Sequence, residues 1–218
     1  MGVYSLSLQI ASVFTLISAA FQNVWSPYLY ENYNKDTFSL EVTRLFSTIT
    51  TMLLGISIVF SFLAKEFIIL LSNDSYVNAS LYLPILCIAM SFYMIFPFAT
   101  SGIVIARNTY YIGLGYLFGS MFNICSMLLL IKYIGVLAAP VSLCISRIIS
   151  FVFMWNKTSK YLHFKCPISL LVSIVICSLL SFLSLSFTYR SICCLILLSF
   201  VILKLYRNNG GYIRFNMQ

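Results

Sequence analysis

One arginine stands inside an apolar run: Arg147, with Ser146 beside it and Ser150 close by. A guanidinium stays charged at physiological pH and presents forked donors that suit phosphate oxygens. Inside hydrocarbon such a charge costs several kcal/mol unless it reaches the headgroups or faces water. Two roles therefore stand side by side. Arg147 lies roughly eight residues, about 12 Å, from the basic end of its run, within the range of snorkelling to headgroups. The other role is an anion contact inside a cavity. Asn123, in the middle of the preceding run, is a second polar candidate, and inter-helix hydrogen bonding is its plainer role.

Two further sets of residues fall on helical faces. Ser5, Gln9, Ser12, Leu16, Ala19 and Asn23 follow at steps of three or four, polar or small except at Leu16, and Gln22 adjoins them. Ser47, Thr50, Leu54, Ser57 and Ser61 do the same in the next run. Such faces either pack helices through small residues or line a polar cavity. Packing weighs more for the Ser/Thr set. The cavity role is a candidate for Gln9, Gln22 and Asn23.

Signals of catalysis are weak. His163 is the only histidine and sits in a basic loop, where a solvated role is expected. Glu31, Asp36, Glu41, Glu66 and Asp74 all fall at loops or run ends, so a buried acid/base pair is hard to build. No Gly-rich phosphate loop is present. The seven cysteines form no CxxC pair and have no histidine at ligand spacing, so they read as small apolar residues rather than a metal site. No catalytic residue, metal or cofactor is expected.

The elements that must hold these residues follow from composition. Of 218 residues, 61% are hydrophobic and 8% charged, with a mean hydropathy of +0.98. Soluble domains carry about 25% charged residues, so lipid must be the main solvent here. Seven apolar runs are expected as helical crossings: 3–25, 45–64, 79–106, 111–131, 134–155, 168–187 and 191–206, the last short for a crossing at 16 residues. Pro84 and Pro97 lie inside the third and predict kinks. The expected fold is an all-α polytopic transmembrane bundle over residues 1–206, with a polar tail at 207–218.

The net charge of +8 would raise nucleic-acid binding in a soluble protein, but no motif supports it. The basic residues instead sit between apolar runs, as topology signals and lipid-headgroup contacts. Lys35, Arg44, Arg107, Lys157, Lys160, Lys165, Lys204, Arg207 and Arg214 fall on one side, nine in all; Lys65, Lys132 and Arg190 fall on the other, three in all. The richer side is expected in the cytoplasm, which places the N-terminus outside and the C-terminus inside. The first run has no basic residue before it, unlike a signal peptide. A first span of that orientation is expected as the continuation of a longer membrane protein.

Gly2-Val3-Tyr4-Ser5-Leu6, followed after one span by Trp25-Ser26-Pro27-Tyr28, resembles a stretch of the Wzx-type flippases. These are the O-antigen and capsule repeat-unit transporters of the MOP superfamily. Asn78-Ala79 with Pro84-Ile85-Leu86, Asn123 with Lys132-Tyr133-Ile134-Gly135, and Val136-Leu137-Ala138-Ala139-Pro140 resemble further stretches in the family's order. Leu137 stands where the family has Gly, and the Pro before Gly135 is missing. The resemblance covers about the first 160 residues and matches the carboxyl portion of family members. It implies two pseudo-symmetric helical halves around a central cavity.

The function so implied is transport of an undecaprenyl-pyrophosphate-linked oligosaccharide across the bacterial inner (cytoplasmic) membrane, for O-antigen, lipopolysaccharide or capsule synthesis. The expected partners are that lipid-linked sugar, membrane lipids, and either an amino-terminal half or a second copy. The alternatives are an inactive fragment, or a membrane-embedded polymerase or acyltransferase. Such an enzyme calls for essential residues in a large extracytoplasmic loop, and the loops on that side are short. A seven-helix receptor shares the topology but calls for a Pro in its last helix, which the last run lacks.

Overall fold

The computed structural model describes residues 2–72, 74–181, 191 and 193–205, with the side chains of 74 and 75 excepted. Every regular element among them is helical, as lipid demands of backbone groups that have no water to bond. The order is α1 (Gly2–Ala11), α2 (Val13–Asn32), α3 (Phe38–Phe62), α4 (Ala64–Leu71), a 3-10 segment (Asp74–Leu81) and α5 (Leu83–Ile105). Then follow α6 (Tyr110–Ile134), a short 3-10 turn (Gly135–Leu137), α7 (Ala138–Thr158), α8 (Ile168–Leu180) and α9 (Cys193–Leu205).

Four helical stretches are long and apolar enough to cross a membrane: Gly2–Asn32, Phe38–Phe62, Leu83–Ile105 and Tyr110–Thr158. This is the build of a membrane protein. The last stretch folds back on itself at Gly135, whose φ of +56° suits a residue without a side chain. α8 and α9 are shorter than a crossing within the described residues. The end of the expected sixth span, 182–187, and the tail at 207–218 lie outside them.

Several boundaries differ from expectation: α3, for one, begins at Phe38 rather than at 45, and two others involve a proline. The first run does not end at Trp25. Trp25 is buried against α5, its Nε1 donating to Ser101 Oγ at 3.2 Å and its ring 4.6 Å from that of Phe98. The helix therefore continues through Pro27 to Asn32. Pro84 does not kink a span, because it occupies the first turn of α5, where its missing N–H would have had no helical partner. Pro97 alone lies inside α5 and removes the donor that would satisfy the Tyr93 carbonyl.

α5 is the central helix, with 89% of its apolar window buried. α2 runs parallel to it, since Ser7 meets the Ala79 carbonyl before the start of α5 and Trp25 meets Ser101 near its end. α3 runs antiparallel, with Ser57 Oγ 3.0 Å from Ser91 Oγ and the Phe46 ring 4.7 Å from Phe98. α7 is parallel to α5, pairing Phe92 with Phe151 and the Ala99 carbonyl with the Thr158 hydroxyl. α6 lies antiparallel along α7: Gly115 opposes Met154 and Gly119 opposes Ser150, and a Cβ on either glycine would overlap its neighbour. Those two glycines are the only buried residues of α6, whose Leu117, Met121 and Leu128 stand open.

These directions gather charges at one end of the bundle. Lys165 N–H donates to Thr43 Oγ1, Asn108 to the Tyr161 hydroxyl, and Lys157 lies 4.9 Å from the Tyr111 ring centroid. The chain near Arg44 in α3, near Arg107 and from Lys157 to Lys165 therefore gathers at one end, while Lys65, just after α3, and Lys132, in the last turn of α6, lie at the other. Arg190, Arg207 and Arg214 lie outside the described residues.

Candidate anion-binding groove

α2 and α6 both flank α5, and the space between them is an open groove with α5 as its floor. Two cavities meet there. One, of about 120 Å³, is lined by Gln22 and Ser26 of α2, Pro97 and Thr100 of α5, and Ile112 of α6. The other, of about 280 Å³, is lined by Ser120 and Asn123 of α6 and Ser146, Arg147 and Ser150 of α7. Tyr93 and Tyr116 line both. The second cavity is polar and large enough to hold several waters or a small anionic group.

Arg147 sits mid-helix, since α7 runs three residues past the expected end at Trp155. It is about 16 Å along the axis from Thr158. Its guanidinium carbon is 4.7 Å from the centroid of the Tyr93 ring, itself near the middle of α5. A cation over a tyrosine face is held by about 0.5–2 kcal/mol, more when desolvated. The charge is thus engaged at mid-bundle depth by an aromatic face. Among the described residues no carboxylate lines this cavity. The guanidinium donors, which a ring face leaves largely free, suit an anion entering the same space.

The structure brings together Arg147 and Asn123, which is half-buried on α6 and shares the cavity. Gln22 borders the adjoining cavity and donates to the Ser18 hydroxyl at 3.0 Å. Gln9 and Asn23 line neither cavity and are exposed, as are Ser5, Ser12, Leu16 and Ala19. The reason is that α1 and α2 dock through a different face, made by Ser7, Phe14, Ser18 and Trp25. In α3, by contrast, Thr50, Leu54, Ser57 and Ser61 are buried, which is the packing role.

Tyr93 and Tyr116 are the groove-lining residues that periodicity does not single out. α5 is apolar on every side, so no stripe marks Tyr93. The closeness of α6 to α7 did have a signal, the Gly115-x-x-x-Gly119 spacing that lets helix backbones approach. His163 is exposed, and among the described residues no group of three metal-ligating side chains occurs. Burial pushes the Cys166 thiol in the loop before α8 up to about 11, which keeps it protonated and unreactive. The groove therefore offers binding chemistry: a fixed cation, two phenols, amides and hydroxyls. No family model, curated protein or solved structure matches this chain.

Proposed function

We propose that this chain moves a lipid-linked, pyrophosphate-bearing oligosaccharide of the undecaprenyl class across the bacterial cytoplasmic membrane, as part of surface polysaccharide synthesis. In this reading the chain crosses the membrane seven times, N-terminus outside and C-terminus inside, and performs no covalent chemistry. The observation that carries it is the Arg147 guanidinium, held on Tyr93 at mid-bundle depth in a polar cavity that no carboxylate among the described residues lines. A permanent charge at that depth requires water or an anion. Asn123, Ser146 and the tyrosine hydroxyls around it are suited to phosphate and sugar oxygens. The resemblance of residues 2–28, 78–86 and 123–140 to polysaccharide flippases supplies the substrate class.

Alternating access needs two helical bodies moving about a site. The groove has a floor and two flanks, so a further body supplies its opposing wall.

The test is made in cells whose surface polysaccharide depends on this chain. Arg147→Ala is expected to abolish or strongly reduce surface polysaccharide while protein level stays near normal. Arg147→Lys keeps the charge but loses the forked donors, so it is expected to recover only part of the activity. Near-full activity in both variants removes Arg147 from the site. Full activity in Lys with none in Ala shows that charge suffices and removes the forked contact.

A further inference from the structure

The two cavities of the groove differ in charge, and Tyr93 and Tyr116 stand between them. Arg147 lines the larger one. The smaller one, of about 120 Å³, has no charged side chain among the described residues that line it. Its lining is instead a neutral set of donors and acceptors. The Gln22 amide donates to the Ser18 hydroxyl at 3.0 Å and makes no other hydrogen bond among the described residues, so a second N–H and a carbonyl oxygen are left over. Ser26 brings a hydroxyl and Tyr116 a phenol. Thr100 is buried and donates to the Pro97 carbonyl at 3.1 Å, which leaves its oxygen able to accept.

The backbone of α5 adds an acceptor of another kind. Pro97 has no N–H for the Tyr93 carbonyl four residues before it. A helical carbonyl points along the axis toward the residue four places on. Tyr93 and Pro97 both line the smaller cavity, so the freed carbonyl lies on the side of α5 that this cavity covers. A membrane helix tolerates proline where side chains, water or local adjustment satisfy the freed group. The nearest hydroxyls along the helix do not do so, because Thr100 and Ser101 both donate to the Pro97 carbonyl, at 3.1 and 2.8 Å. No other side chain among the described residues donates to the Tyr93 carbonyl either. An acceptor at mid-helix therefore borders the groove with no side-chain donor of its own.

We infer that the smaller cavity is a neutral subsite for the sugar ring next to the pyrophosphate, while the Arg147 cavity takes the phosphate; this assignment rests on the transport reading above. A phosphate has no cation to meet in the smaller cavity, and the carbonyl and amide oxygens there repel it. A hydrocarbon tail would leave the carbonyl, the amide and the hydroxyls unpaired. A sugar hydroxyl satisfies both kinds of group, donating to the Tyr93 carbonyl and accepting from the amide or the phenol. The Tyr116 ring, 46% exposed, offers a flat face to the apolar side of a sugar ring. A single ring, that of Tyr93, borders both cavities and has Arg147 against it at 4.7 Å, so the two subsites adjoin as a sugar adjoins its phosphate. The arrangement also sets an orientation. The smaller cavity reaches Val104 and Ile112, beside the basic end of the bundle, and the larger one extends the other way to Asn123 and Leu143. The sugar therefore lies toward the basic end and the phosphate deeper.

The experiment measures binding to the full chain in lipid nanodiscs with two probes. One is the polyprenyl-pyrophosphate-linked oligosaccharide extracted from cells whose surface polysaccharide depends on this chain; the other is undecaprenyl pyrophosphate without sugar. Pro97→Ala returns an N–H to the Tyr93 carbonyl and removes a helix breaker, so its unfolding temperature is expected no lower than that of the unaltered chain. Gln22→Leu, at the exposed rim, keeps the test independent of α5. Each variant is expected to weaken the sugar-bearing probe about fivefold, the loss of one hydrogen bond, and to leave the sugar-free probe unchanged. Arg147→Ala is expected to weaken both probes about tenfold or more, as loss of a charge-assisted contact does. Equal losses on the two probes in Pro97→Ala and Gln22→Leu, or no loss on either, overturn the sugar subsite and leave Arg147 in place. If neither probe binds the unaltered chain, or Arg147→Ala weakens neither, the transport reading falls and the subsite with it.

Discussion

α3 and the α1–α2 stretch carry stripes of the same make, yet one is sealed and the other is open. In α3, Thr50 and Ser57 are fully buried, and Ser57 shares a hydrogen bond with Ser91 of α5. In α1 and α2, Ser5, Ser12 and Asn23 stand exposed, and Leu16 is 71% exposed. Spacing fixes that residues share a face, but not what that face meets. What differs is the opposite side of each helix. α2 carries Phe14, Trp25 and Leu29, large apolar groups whose burial against the rest of the bundle outweighs anything a serine stripe can gain there. α3 is packed on more than one side, by α5 and by α8, so its stripe is covered along with its large residues.

The strongest way to break this comparison is at Trp25. Its ring lies 4.6 Å from Phe98 and 5.5 Å from Phe21, and its N–H bonds Ser101. Trp25→Ala is expected to cost about 3–5 kcal/mol, the range for large aromatic deletions in a core. Thermal unfolding in detergent should show it as the largest destabilisation among the variants at Trp25, Ser57 and Asn23. Trp25→Phe keeps the ring contact and loses one hydrogen bond, but Ser101 still donates to the Pro97 carbonyl at 2.8 Å. Its cost is therefore expected near 1 kcal/mol. Equal costs for Phe and Ala would place the docking of α2 in the hydrogen bond rather than in the rings.

Ser57→Leu sharpens the same comparison from the α3 side. Ser57 is fully buried and 3.0 Å from the Ser91 oxygen, so three carbons in place of one oxygen have no room. Overpacking of this kind costs about 1–3 kcal/mol. The readout is a lowered unfolding temperature with insertion into the membrane preserved. A neutral result would show that α3 and α5 separate easily, and that burial of this stripe does not hold them together.

Much of the bundle was legible because its physics is one-dimensional. Apolar runs and the Lys/Arg alternation locate helices and their ends, and the packing of Thr43 on Lys165 and of Asn108 on Tyr161 agrees with that alternation. Proline was less legible. Pro84 and Pro97 look alike in sequence, yet one starts α5 and the other lies within it, because the helix begins at Leu83 rather than Ala79. The groove was half legible. Arg147 and Asn123 announced themselves as polar groups in apolar runs. Tyr93 did not, since its place beside Arg147 depends on α7 lying parallel to α5, a tertiary fact with no periodic trace. Gln9 and Asn23 were visible as a face, but a face is placed by what packs on the other side.

The smallest effect is expected at Asn23, and it is the most direct measure of the difference between the stripes. Asn23 is exposed in α2, about two turns from Leu16 by way of Ala19 on the same line. In Asn23→Leu the new side chain meets open space instead of a neighbouring helix. Leu is also a better helix former than Asn by about half a kcal/mol. Pro27 has already removed the helical donor to the Asn23 carbonyl, so no backbone bond is put at risk. In dilute detergent, where copies are kept apart, stability is expected to stay within about 0.5 kcal/mol of the unaltered chain. The paired measurement is Ser57→Leu under the same conditions, the same leucine placed on the sealed stripe. If Asn23→Leu destabilises the isolated chain as much as Ser57→Leu does, the first stripe is packed within a single copy. The distinction between an open stripe and a sealed one then disappears.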